Sequence, residues 1–116
     1  MSDAIQLFIE LKLVPGHEAD FASATAEVLA IAHANGVDLT YDFYRDPATP
    51  AMVYAIERHG SADSLSRHFQ LAFPALQRVW QAAEPVRTLV LGDLPAELRE
   101  AMERNGCVVV PTWRYD

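Results

Sequence analysis

Between residues 4 and 14 every second position is a branched aliphatic residue, Ile5, Leu7, Ile9, Leu11 and Leu13, with Gln6, Phe8, Glu10 and Lys12 between them. A period of two sustained over nine residues specifies a strand with one face against a core and the other facing away from it. The chain is thereby committed to a sheet, and the remaining periodicities decide what covers it. Pro15-Gly16 turns the chain, and Phe21, Thr25, Val28, Leu29 and Ala32 then recur at helical spacing as far as Asn35-Gly36, a suitable C-terminal cap. A first helix is predicted over 17–35. Alternation returns with Leu39, Tyr41 and Phe43 against Thr40, Asp42 and Tyr44, which is a second strand. Asp46 to Pro50 has the residues of a hairpin connection, and Met52, Tyr54 and Ile56 alternate as a third strand antiparallel to the second. Ser61 can cap a second helix carrying Leu65, His68, Phe69, Ala72, Phe73, Leu76, Val79 and Trp80 on its apolar face. Pro74 removes a backbone donor and disfavours helical geometry at Phe73, so a kink or restart is expected there. Val86 to Leu91 supplies a fourth strand.

The order β-α-β-β-α-β is that of an α+β, ferredoxin-like domain, with both helices on one face of a four-stranded antiparallel sheet. Its other face is expected to carry Phe8, Tyr44, Val53, Ala55, Leu89 and Leu91, an apolar surface that costs about 25 cal/mol per Å² to leave in water. Dimerisation through that face removes the cost. Beyond the core at 4–92 a tail at 93–116 remains, with Leu94, Leu98, Ala101 and Met102 on a short helix that Asn105-Gly106 ends. Cys107 to Tyr115 then reads as extended, Val108-Val109-Val110 forming a strand that Pro111 confines to an edge or stops. Such a tail packs on its own domain or reaches across a dimer, and both placements are open. The 116 residues form one domain.

Nine Lys and Arg against sixteen Asp and Glu give a net charge of -7, which repels nucleic acid and acidic membrane surfaces. The start Met-Ser-Asp-Ala-Ile-Gln has no basic leader, and every apolar run is far shorter than the ~20 residues of a membrane span. A cytoplasmic protein with a small-molecule or protein partner is expected. The single Cys107 has no partner for an internal disulfide and reads as a small hydrophobe.

Several segments carry a resemblance: Leu13-Val14-Pro15-Gly16-His17-Glu18, Tyr41-Asp42-Phe43-Tyr44-Arg45-Asp46-Pro47, Glu57, and Ser61-Ala62-Asp63-Ser64-Leu65 leading to His68. The run from Gly92-Asp93-Leu94 through Leu98-Arg99-Glu100-Ala101 adds to them. Together they resemble the antibiotic biosynthesis monooxygenase family, a group of dimeric α+β barrels. The resemblance implies a homodimer and a cofactor-independent monooxygenase acting on a small aromatic or quinol-like substrate. There the deprotonated substrate is itself the electron donor to dioxygen, without metal, flavin or haem. It also implies a pocket between the second helix and the sheet, towards which His68 points. Two positions depart from the family: His59 stands where many members have Trp, and Phe73-Pro74 lies where a second histidine is common. Members that degrade haem use an Asn in the first strand, and Ile9 stands near that position here, with Gln6 the other polar candidate. The haem reading is disfavoured.

His68 is the candidate catalytic base, because an imidazole titrates near neutral pH and the apolar helix face would hold it in a pocket. The bland alternative is a core histidine satisfied by a backbone carbonyl. Tyr41, Tyr54, Phe73 and Trp80 are the candidate substrate-binding set, able to line a slot for an aromatic ring, although aromatic residues at such spacing are also ordinary core. His17, Glu18 and Asp20 are better explained by the helix dipole than by a metal, and no metal site is expected. Glu100 with Arg104 and Arg99 with Glu103 are i, i+4 pairs on a solvated helix face. A non-catalytic dimeric module that binds a small molecule in the same pocket is the rival reading.

Overall fold

The structure, a computed structural model, describes residues 3–114. Its elements run β1 (Ile5–Leu13), α1 (Glu18–Ala34), β2 (Leu39–Arg45), β3 (Met52–His59), α2 (Ala62–Ala82), β4 (Ala83–Leu91), α3 (Ala96–Arg104) and β5 (Val108–Val110). The strand order is β2-β3-β1-β4-β5, so the split βαβ core is present with β1 at its centre, antiparallel to β3 and β4. The fold is α+β and ferredoxin-like, as the periodicities required. The expected four-stranded antiparallel sheet is present, and β5 extends it at the β4 edge by parallel pairing, so the whole sheet is five-stranded and mixed. That pairing also places the tail: Val109 packs in the same chain against Ile5, Leu7, Leu65, Val90 and Met102. Tyr115, included in the expected extended segment, lies outside the described residues.

Both helix ends anticipated at Asn-Gly are present, with Gly36 and Gly106 at φ of +66° and +86°, where a side chain would be strained. Ser61 caps α2 by accepting from the amide of Ser64 at 3.2 Å. No restart occurs at Pro74, since α2 continues through it. Buried Ala72, Ala75, Leu76 and Val79 on both sides of the proline hold the helix to the sheet, and that burial outweighs one missing backbone bond. β4 begins at Ala83, three residues earlier than expected, and absorbs Pro85 at a bulge where the register against β1 shifts between Glu10 and Leu11. Pro85 and Thr88 consequently face the same side as Ile9 and Leu11.

The open face of the sheet needs a second correction. Val53 and Ala55, expected there, are buried under the helices, while Tyr54 and Ile56 take the open side. The register explains it: Leu11 pairs with Val53, Ile9 with Ala55, Leu7 with Glu57 and Ile5 with His59, so β3 turns a half-polar row inwards. Pairing also puts Ile56, Phe8, Leu89 and Val108 in one row across four strands of the open face.

Candidate active site

Between α2 and the sheet, with α1 at one side and α3 at the other, lies a cavity of about 730 Å³. Its walls are mostly apolar, from Leu7, Ile9 and Leu11 on β1, Val28 on α1, Phe69, Leu76 and Val79 on α2, and Leu98 and Met102 on α3. Tyr41 stacks on Phe43 with ring centroids 5.3 Å apart, and both rings line it. Phe73 and Trp80 meet edge to face at 6.1 Å and, being about half exposed, form its rim. Cys107 reaches the wall from the α3 side, and burial pushes its thiol pKa up, so it presents a neutral S–H.

Beneath this apolar space is a polar network that the helix face and β3 build together. Glu57 and His59 project from the same side of β3, two residues apart, and are almost fully buried. His59 Nε2 lies 2.5 Å from Glu57 Oε1, and its Nδ1 lies 3.1 Å from Ser64 Oγ. Ser64, on the first turn of α2, donates its O–H to the backbone carbonyl of Asp38 at 2.8 Å. One turn further along α2, His68 brings Nε2 to 3.4 Å from the same Glu57 oxygen and 3.4 Å from the Tyr41 hydroxyl. Burial, with the Glu57 carboxylate beside it, holds the Tyr41 phenol protonated well beyond the usual range. Burial lowers the His68 pKa below 6.5; Glu57 opposes the shift and His59 adds to it.

Nδ1 of His68 is buried and has no hydrogen-bond partner among the described residues. A purely structural histidine avoids this, because an unpaired buried polar atom costs roughly 1–3 kcal/mol. Its Nε2 meets a phenol and a carboxylate rather than the backbone carbonyl of the bland alternative. Two measurable results follow. Because the folded chain refuses at residue 68 a proton that the unfolded chain takes up below pH 6.5, stability falls as the pH drops from that value through the lowered folded pKa. In urea titrations between pH 7.5 and 5, His68→Leu should weaken that decline, and at pH 7.5 it should be within about 1 kcal/mol of the unaltered protein or more stable. An unchanged pH slope would contradict the buried neutral imidazole.

Neither a family model nor a curated protein matches the sequence. Solved structures do. MupZ from Pseudomonas fluorescens superposes with a TM-score of 0.79 at 15% identity, covering 99% of this chain and 94% of that one. SnoaB from Streptomyces nogalater, a cofactor-independent oxygenase, gives 0.65 at 13% identity over 77% of this chain and 91% of its own. A candidate antibiotic biosynthesis monooxygenase from Caulobacter crescentus gives 0.63 at 18% identity over 77% and 86%. The chain has the antibiotic biosynthesis monooxygenase fold. The match to MupZ spans 99% of this chain and so includes α3 and β5.

The expected site residues are only partly brought together. Tyr41, Phe73 and Trp80 line the cavity. His68, expected to point into it, stands behind Tyr41 and Glu57 with 1% of its surface exposed. Tyr54 is on the other face of the sheet, stacked on Phe8 at 6.1 Å and bonded to Asp46, and does not join the set. The inward row of β3 carries Glu57, and Tyr54 falls in the alternate phase. Glu57, His59 and Ser64 had no assigned role in the sequence. Their signal was Glu57-Arg58-His59 itself, two ionisable residues at strand spacing and hence on one face. His17 pairs with Asp20 at the exposed start of α1, and Glu18 with Arg45. Among the described residues no group of three His, Cys, Asp or Glu side chains is placed to hold a metal ion, and no helix is long and apolar enough to cross a membrane.

Proposed function

We propose that the protein is a cofactor-independent monooxygenase of a small aromatic or quinol-like substrate, working as a homodimer. The observation that carries this reading is Tyr41, a residue lining an apolar cavity whose hydroxyl lies 3.4 Å from a buried imidazole that desolvation keeps neutral. A neutral imidazole accepts a proton at neutral pH. In this reading the substrate hydroxyl gives its proton through Tyr41 to His68, and the resulting anion, shielded from water, transfers electrons to dioxygen. Phe43 and Tyr41 offer a flat stacking surface, and Phe73 and Trp80 close the rim over the ring. The oxygenase description of SnoaB, which has the same fold, supports the reaction class.

The withdrawal of His68 behind the cavity wall favours a second reading, a dimeric binding module that holds a small apolar molecule without turnover. Oxygen uptake with a panel of quinols and polyphenols separates the two. Uptake above autoxidation is expected for the unaltered protein, falling by about 10²-fold or more in His68→Ala while ligand-induced thermal stabilisation persists. Thermal stabilisation by these compounds with no catalysed uptake would establish the module instead.

A further inference from the structure

We propose that Glu57 is the proton donor of the later half of the reaction and that His59 is its positioning residue, sharing its proton. The inference rests on the oxygenase reading. Hydrogen positions in the network follow from its fixed end. The Asp38 carbonyl only accepts, so Ser64 donates to it. Ser64 Oγ, its hydrogen used, accepts from the His59 ring, which puts a hydrogen on Nδ1 of His59. Nε2 and Glu57 Oε1 then face each other at 2.5 Å, where two lone pairs would repel, so one proton lies between them. Drawn as imidazolium with carboxylate or as imidazole with carboxylic acid, the pair is neutral and holds one movable proton. Neutrality lets two groups at 0% and 2% exposure sit beneath an apolar cavity. Only Glu57 of the two lines that cavity, so the proton leaves through the carboxyl.

The reaction needs such a proton. When a deprotonated phenolic ring binds dioxygen at a ring C–H carbon, a C–O bond forms and the distal oxygen carries the negative charge. Glu57 protonates that oxygen. The ring C–H pair then becomes the second bond of a carbonyl, the O–O bond breaks, and the distal oxygen leaves as water with the C–H proton and the Glu57 proton. The phenol is oxidised to a quinone, and dioxygen supplies one oxygen to it and one to water. Glu57 regains its proton from His68, which took it from the substrate and stands 3.4 Å from the same carboxyl oxygen.

Glu57→Gln keeps a hydrogen bond, its amide donating to Nε2 of His59, but supplies no proton. With a quinol that the unaltered protein oxidises, uptake should fall by about 10²-fold and the share of consumed oxygen released as hydrogen peroxide should rise towards one. His59→Ala should move that share the same way, whereas a merely structural loss would slow uptake and leave the share fixed. An unchanged share in both variants would overturn the donor while the oxygenase reading stands, and absence of uptake by the unaltered protein would overturn both. Nitrogen-15 NMR of the unaltered protein should show a hydrogen on Nδ1 of His59 from pH 6 to 8, and a bare Nδ1 would overturn the network.

Discussion

Glu57→Leu is expected to destabilise the protein by about 3–5 kcal/mol, because it leaves His59 buried without the carboxyl that holds its Nε2. Against a total stability of roughly 5–15 kcal/mol, that lowers Tm by on the order of 15 °C. Size is not the cause, since leucine fills much of the space. Glu57→Gln, whose amide still donates to Nε2, should cost only about 1 kcal/mol. The double replacement Glu57→Leu with His59→Leu should recover much of the loss, since removing both partners removes the unpaired group as well. Urea denaturation of the unaltered protein, Glu57→Leu, His59→Leu and the double replacement makes the cycle. If Leu and Gln at 57 prove equally stable, the pair contributes nothing to the fold beyond volume.

The second large effect concerns the open face of the sheet. Ile56, Phe8, Leu89 and Val108 form an apolar row across β3, β1, β4 and β5, with Tyr44, Val86, Leu91 and Val110 exposed around it. None of the described elements covers that side, because both α1 and α2 pack on the other. Sedimentation should therefore give twice the chain mass of 12.9 kDa at micromolar concentration. Leu89→Lys, placing a charge between Phe8 and Val108, should weaken the dimer by at least about 100-fold, equivalent to roughly 3 kcal/mol. Its circular dichroism should not change, since residue 89 faces away from the helices. A monomeric unaltered protein would leave the apolar row without a role and remove the homodimer from the functional reading.

Much of the architecture was decided locally. The aliphatic alternation of residues 5–13 makes a strand in any context, Asn35-Gly36 and Asn105-Gly106 stop helices because glycine alone accepts the backbone conformation, and Ser61 caps α2 with its own hydroxyl. The order of those elements then admits few topologies, and the ferredoxin-like one was among them. Tyr41, Phe73 and Trp80 were legible as cavity residues because each lies on an apolar face already phased by its neighbours.

What sequence spacing left open was set by pairing between segments distant in the chain. The phase of β3 was misread because its inward row ends in Glu57 and His59, and polar residues look outward until a partner is known. That partner comes from α2, where Ser64 and His68 meet them across the core. Tyr54 went to the wrong side with the same misreading. Pro74 read as a disruption because it removes a local donor, yet burial of the helix on both sides absorbed the loss. The tail found its place only through β4, whose free edge supplied the hydrogen bonds of β5. Periodicity along the chain determines which residues form a strand or a helix and how they alternate. Register between strands, which depends on the summed packing of the whole sheet, decided which alternate set became the core and so where a carboxyl and two imidazoles could meet.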